Sequence, residues 1–348
     1  MKRKNLIHHA LFLTQKRNLL AFSAGIDSSA LFFLLIDNNI PFDIAIIDYG
    51  IREQSKEEVA HAKALAAKYN LVCYTVEAPI FKSHFEQRAR DFRYRFFEGI
   101  IYVSGYDTLL TAHQLNDQLE WLLMRLTKGA GTSELIGLES ISQREGYTLV
   151  RPLLEHSKEE LLGYLKKYHY PYFIDASNTD EGYERNRFRK QFSDPLIKQY
   201  QEGIRRSFEY LKEDARQLRL RHKTIHKKKQ LRIIRLHDLH AKTKAVDLAL
   251  KELGYLLSAS QRREISREQS LVIGGEWAVE QQGDRLYIAP YLTTPMSKKF
   301  KERCRAAKIP TKIRPYLLIE DIDINTLLPH AFTPDSQEGV PSYTPPFF

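Results

Sequence analysis

The chain has 348 residues, 43% of them hydrophobic and 28% charged, and its 53 Lys and Arg outnumber its 43 Asp and Glu to give a formal net charge of +10. That length allows two or three domains, and the two cysteines, Cys73 and Cys304, exclude a disulfide scaffold and any Cys-x-x-Cys metal or redox pair. No uninterrupted apolar run reaches membrane-spanning length, and the basic N-terminus MKRKNLIHHALFLTQKRN is broken by His8, His9, Gln15, Lys16 and Arg17 with no cleavage site after it; the expectation is a cytoplasmic protein with no membrane partner.

In chain order, NLLAFS (18–23) predicts a strand and a helix follows from near Asp27. DIAIID (43–48) predicts a second strand with EEVAHAKALAAKYN as its helix, and LVCYTVE (71–77) a third with the helical FEQRARDFRYRFFEGIIYVSG behind it. DTLLTAH (107–113) precedes the helix NDQLEWLLMRLTKG, and YTLVRPLL (147–154) precedes SKEELLGYLKKYHY, where Ser157 and Glu160 form a capping box. Strands alternating with helices at this spacing predict an α/β fold, a Rossmann-like doubly wound parallel sheet over residues 1–195.

After Pro195 the pattern changes. Residues 196–229 predict a long basic helical linker, residues 230–292 a small α+β module with a hairpin around Gln282 and Gly283, and residues 293–348 a second module ending in the tail PSYTPPFF. From Arg185 to Arg235 there are 17 Lys and Arg against 5 Asp and Glu. A band of that kind in an otherwise near-neutral chain suits a polyanion such as nucleic acid, although a solvated helix face has the same composition. Tyr200, Phe208 and Tyr210 within it read as the helix's core-facing stripe, with base stacking as the alternative.

The stretch SAGIDSS (23–29) links the first strand to its helix. At the carboxyl edge of a parallel sheet such a turn exposes backbone N–H groups at a positively polarised helix end, where phosphate binds. Ser23, Ser28 and Ser29 add hydroxyl donors, whereas Asp27 repels phosphate unless Mg²⁺ lies between them. Neither G-x-x-x-x-G-K-[ST] nor G-x-G-x-x-G is present, and an ordinary capped βα turn is the plain alternative.

SAGIDSS resembles the S-G-G-x-D-S loop of the PP-loop ATP pyrophosphatases, which cleave ATP between the α- and β-phosphates. Within that superfamily the chain resembles the tRNA(Ile)-lysidine synthetase family. The likeness rests on Ala89, Arg90, Arg93 and Tyr94 in ARDFRY; on His113, Asp117, Gln118 and Glu120 in AHQLNDQLEW; and on Arg151–Leu154. It continues through Asp175, Ser177, Asn178 and Asp180, then Arg185, Asn186 and Arg189, to the C-terminal SKKFKERCRAAKIPTKIRPYLLIE. Ala24, Tyr49, Asn116 and Trp121 depart from the family pattern, and Asn116 removes one possible metal carboxylate.

The resemblance implies ATP and Mg²⁺ as cofactors, with L-lysine and the CAU-anticodon tRNA(Ile) as partners; a homodimer is left open. It implies that residues 23–29 (Ser23, Ala24, Gly25, Ile26, Asp27, Ser28, Ser29) and Asp48 hold ATP. The metal falls to Asp27 and Asp117, and catalysis to Asp27, His113, Asp117, Glu120 and Arg90. Arg93, Tyr94, Asn178, Arg185 and Arg189 would contact substrate or phosphate. A tRNA thiolase would need more cysteines, a small-molecule ligase of the NAD or GMP synthetase kind would not need the basic helix, and a degenerate RNA-binding protein would not need Asp27 and Glu120.

Overall fold

A computed structural model describes residues 7–50, 54–81, 83, 85–174, 184–219 and 221–327. The tail PSYTPPFF and the expected site residue Asn178 lie outside the described residues. The chain divides into two units, Met1–Glu213 and Asp214–Phe348.

In chain order the first unit contains α1 (Ala10–Leu13), β1 (Asn18–Ala21), α2 (Ile26–Asp37), β2 (Phe42–Asp48), α3 (Gln54–Lys68), β3 (Cys73–Glu77), α4 (Phe85–Ser104) and β4 (Thr108–Leu110). Then come α5 (Leu115–Leu126), α6 (Thr132–Ile136), β5 (Ile141–Arg144), β6 (Tyr147–Val150), α7 (Lys158–Lys167) and α8 (Glu184–Phe188). A π-helical turn, Arg189–Ser193, joins α8 to α9 (Asp194–Arg219), which crosses the boundary between the units.

The sheet runs β3-β2-β1-β4-β6-β5. Its β1–β2, β2–β3, β1–β4 and β4–β6 pairs are parallel, as expected, while the edge strand β5 returns antiparallel on β6. Alternate residues feed two cores: Leu20, Ile44, Ile46, Leu110 and Val150 face one, and Leu19, Ala45, Leu109 and Leu149 the other. A strand covered on both faces has no polar side, which is why these segments read as continuous apolar runs. The Ser157 capping box forms as expected, with Ser157 Oγ accepting from the Glu160 N–H at 3.2 Å and Glu160 Oε2 from the Ser157 N–H at 2.8 Å.

Trp121 packs α5 on α6 through its indole N–H, which donates to the Glu134 carbonyl at 2.8 Å. At Gly137, where φ is +62°, an added Cβ would lie 2.0 Å from Trp121 Nε1. Gly137→Ala is therefore expected to destabilise the first unit by roughly 3 kcal/mol or more, from the left-handed backbone and displacement of the indole together. A denaturation midpoint within about 1 kcal/mol of wild type would show that the indole simply moves aside.

The second unit contains β7 (His222–Lys228), β8 (Leu231–Leu236), α10 (Lys242–Glu252), α11 (Ala259–Arg267), β9 (Ser270–Ile273), β10 (Trp277–Gln282), β11 (Arg285–Pro290), α12 (Lys298–Ala306) and α13 (Arg314–Ile319). Its sheet is antiparallel, β7-β8-β11-β10-β9, and the β10–β11 hairpin turns where expected, at Gly283 and Asp284. Ile234, Leu236, Leu286 and Ile288 face a core shared with α10 and α11, while Leu231, Ile233, Tyr287 and Ala289 face one shared with α12 and α13. The segments expected as modules 230–292 and 293–348 thus meet on one sheet.

The basic linker is shorter than expected as a helix. It stops at Arg219, and residues 222–228 pair with β8 as an edge strand, from His222↔Leu236 to Lys228↔Leu231 with a register shift between Thr224 and His226. Lysines on an exposed edge oppose further strand addition, so the basic run suits a strand edge as well as a helix face. The aromatic stripe divides as well: Phe208 is buried, whereas Tyr200 and Tyr210 are 59% and 68% exposed. No helix among the described residues is long and apolar enough to cross a membrane.

Candidate active site

The loop after β1 is built from its own hydroxyls. Ser28 Oγ accepts from the Ser23 N–H at 3.2 Å and lies 3.1 Å from Ser23 Oγ, while Ser29 Oγ donates to the Ala24 carbonyl at 3.1 Å. Ala24 is fully buried with φ at +57°, a left-handed conformation that costs a non-glycine residue about 1–2 kcal/mol; its methyl, packed in the core, offsets part of this. Ser29 is also fully buried, so its hydroxyl braces the loop rather than facing a ligand.

A cavity of about 260 Å³ opens beside the loop. Ser23, Asp27 and Ser28 line it from the loop, Arg93 and Tyr94 from α4, and His113, Asp117 and Arg185 from beyond β4, α5 and α8. Sequence reasoning missed Thr111, two residues before His113 at the strand end, and the apolar walls Phe22, Ile47 and Phe97. Of the expected residues, Ala24, Gly25, Ser29, Glu120 and Arg189 stand outside this lining, as do Ile26, Asp48 and Arg90. Arg90 lies over the Tyr94 ring, 5.0 Å from its centroid; Asp48 Oδ1 accepts from the Gly50 N–H at 2.8 Å and Ser55 Oγ at 2.7 Å, fastening the β2–α3 turn; Ile26 is the first residue of α2.

Asp117 and Glu120 lie three apart on one face of α5, and two arginines bridge them. Arg185 Nη2 is 3.0 Å and Arg189 Nη2 3.3 Å from Asp117 Oδ1. Arg185 Nε bonds Glu120 Oε1, and Arg189 Nε lies 3.0 Å from Glu120 Oε2. Two cations and two anions cancel, which is how a carboxylate as buried as Glu120, 2% exposed, is tolerated there. Burial raises the Glu120 pKa, and the two arginines offset this only in part. At Asp117 burial acts in the same sense but is outweighed by His113, Arg185, Arg189 and the Gln114 N–H, which hold the carboxyl below its ordinary value.

Asp27 and His113 are shifted as well. Burial, reinforced by the Asp117 charge, raises the Asp27 pKa to about 7, and Asp27 Oδ1 is buried with no hydrogen-bond partner. Burial lowers the His113 pKa to about 4 against the pull of Asp117, so its imidazole is neutral at pH 7; Nδ1 lies 3.0 Å from Thr111 Oγ1. A neutral imidazole of such low pKa is a weak base, suited to hydrogen bonding in the cavity wall.

The PP-loop domain family model matches residues 1–196. The tRNA(Ile)-lysidine synthase of Campylobacter jejuni is 42% identical over 316 residues, spanning 90% of this chain and 96% of that protein. That of Wolinella succinogenes is 43% identical over 318 residues, 89% and 95% of the two chains. The chain belongs to the tRNA(Ile)-lysidine synthase family. Among solved structures, the U34-tRNA thiolase NcsA of Methanococcus maripaludis, with its [4Fe-4S] cluster, is similar at 15% identity and a TM-score of 0.51 over 60% of this chain and 76% of that one, a likeness of fold.

Among the described residues no group of three or more His, Cys, Asp or Glu side chains is placed to hold a metal ion. Asp27 offers one unpartnered oxygen, whereas Asp117 already accepts three N–H groups, counting the Gln114 N–H on Oδ2 at 3.0 Å. One open carboxylate with a second largely engaged fits Mg²⁺, which is commonly held by one or two carboxylates and completed by substrate phosphates and water.

Gly25 caps α2 with φ at −70°, and a Cβ there would meet only Ser23 Oγ, at an ordinary 3.6 Å. Neither the backbone nor the neighbours require glycine there. Gly25→Ala is expected to leave stability within about 1 kcal/mol of wild type while weakening ATP use by about 10- to 100-fold. Equal ATP affinity in titration calorimetry would remove Gly25 from the phosphate cradle.

Proposed function

We propose that this protein ligates free L-lysine to C2 of the wobble cytidine, position 34, of the CAU-anticodon tRNA(Ile), forming lysidine, AMP and pyrophosphate. The observation that carries the reading is the meeting, in one cavity of a PP-loop domain, of the Asp27 loop with the Asp117 carboxylate and Arg185. The C2 oxygen of the cytidine attacks the α-phosphate and pyrophosphate leaves; an amine of lysine then attacks C2 and AMP leaves. The base must leave its stack to expose C2.

Residues 23–29 hold the pyrophosphate at the α2 N-terminus, and Asp27 and Asp117 would hold Mg²⁺, which neutralises phosphate charge when bound. Asp117 and Glu120, oriented by Arg185 and Arg189, hold the ammonium of lysine. Neutral His113 contacts the base or assists proton transfer in the cavity, and Arg93 and Tyr94 face phosphate or base from α4. In this reading residues 1–195 carry the chemistry, and the basic 196–229 segment with the 230–292 and 293–348 modules grips tRNA backbone, so binding weakens with salt. The proposal places the protein in the cytoplasm, with its tRNA.

The test is incubation with α-labelled ATP, Mg²⁺, labelled lysine and a CAU-anticodon tRNA(Ile) transcript. Lysine entering RNA with stoichiometric AMP supports the reading. AMP without lysine transfer overturns the second substrate, and tRNA binding without AMP points to a degenerate RNA-binding protein.

A further inference from the structure

Asn116, the departure that removes a carboxylate from the expected metal set, is occupied elsewhere. It is 6% exposed, its Nδ2 donates to Asp194 Oδ1 at 2.7 Å, and its Oδ1 accepts from the Lys158 N–H at 3.2 Å. Asp194 begins α9 and Lys158 begins α7, so one buried amide ties the starts of two helices to the first turn of α5. The bond directions fix the amide's orientation, because a carboxylate needs a donor and an N–H needs an acceptor. A carboxylate at 116 would meet Asp194 as a like charge.

The residue next to Asn116 is Asp117, and the residues just before Asp194 form the π-helical turn Arg189–Ser193. On one side of this turn Asp194 is bound to α5; Arg189, which starts it, and Arg185, one turn earlier, are bound to α5 through Asp117 and Glu120. A π turn holds one residue more than an α turn, and each residue in a helix turns the chain by about 100°. With Asp194 fixed, a regular α-helix would rotate Arg185 by about that angle and shift it about 1.5 Å along the axis, off the acidic pair.

We infer that the Asn116–Asp194 bond and the π turn are one positioning device, which sets Arg185 and Arg189 in register over Asp117 and Glu120. Asn116 is a positioning residue acting through Asp194. The inference rests on the proposed reading for its kinetic consequence and on geometry alone for its structural one.

The test compares full-length Asn116→Asp, Asp194→Asn, both together, and a deletion of exposed Gln191, each by three readouts: KM for ATP, rate of lysine transfer, and labelling of Arg189 by phenylglyoxal mapped by mass spectrometry. Asn116→Asp is expected to slow lysine transfer at least tenfold with the KM for ATP within twofold, and to speed Arg189 labelling at least threefold. The exchanged pair rebuilds the bond with donor and acceptor reversed and keeps an acceptor for the Lys158 N–H; it should return both transfer and labelling to within threefold of wild type. Deletion of Gln191 should abolish transfer, and if that variant fails to fold, the exchanged pair decides. A single variant with lowered thermal midpoint but wild-type transfer and labelling overturns the inference, as does an exchanged pair that stays impaired. A wild-type protein that forms no AMP overturns the functional reading instead, while the labelling comparison still judges the positioning device.

Discussion

Replacing Asp27 by Asn is expected to reduce ATP cleavage by at least about a thousandfold while raising the thermal midpoint at pH 8 by about 5 °C. The two effects share one cause. Burial and the Asp117 charge raise the Asp27 pKa from 3.8 to about 7, so the folded protein holds a proton there that the unfolded chain releases near pH 4. Between pH 4 and 7 the unfolded state binds fewer protons, and stability therefore falls as pH rises, by at most about 1.4 kcal/mol per unit. The amide pays no such cost, so the gain of Asp27→Asn shrinks on acidification and vanishes near pH 4. Function runs the other way, because only the ionised carboxylate takes a cation. Affinity for Mg²⁺ with ATP should rise up to about tenfold per pH unit below 7 and level off above it. Calorimetric scans and nucleotide titrations from pH 5 to 8 check both slopes; a variant less stable than wild type at pH 8 would show that Asp27 is stabilised in the free protein.

The second large effect is expected at the arginine clamp. Arg189→Met should cost about 3–5 kcal/mol, because Glu120 is 2% exposed and keeps only one of its two guanidinium partners. Adding Glu120→Gln removes the stranded charge and should recover stability to within about 1 kcal/mol of wild type. It should not recover lysine transfer, since the carboxylate assigned to the ammonium is gone. Urea denaturation of the single and double variants, with transfer measured in parallel, separates the two roles. Stability unchanged in Arg189→Met would mean that the clamp contributes nothing to the fold, and transfer regained in the double variant would mean that Glu120's charge has no part in the reaction.

What the sequence determined by itself is local or carried by motif. The apolar runs at 18–22 and 43–47 mark strands buried on both faces, the Ser157–Glu160 pair marks a helix start, and SAGIDSS marks the turn from β1 into α2. These signals survive in one dimension because the interactions behind them span two to four residues, or arise from burial that every residue of the run shares. The acidic pair three apart on α5 was legible for the same reason.

Only the tertiary structure decided what depends on a distant partner. Residues 222–228 have a composition that suits a basic helix, yet they become a strand because β8 presents free backbone groups after a two-residue turn at Lys229 and Gln230. Strand β5, short and half-buried, is specified by its pairing to β6 rather than by a pattern of its own. Asn116 read as a missing ligand because its partner Asp194 lies 78 residues away. The clamp on Asp117 and Glu120 joins residues at least 65 apart, across a π turn whose single extra residue has no compositional mark. In each case the free energy lies in a contact between segments, and a contact of that length is fixed by packing and register rather than by the residues on either side.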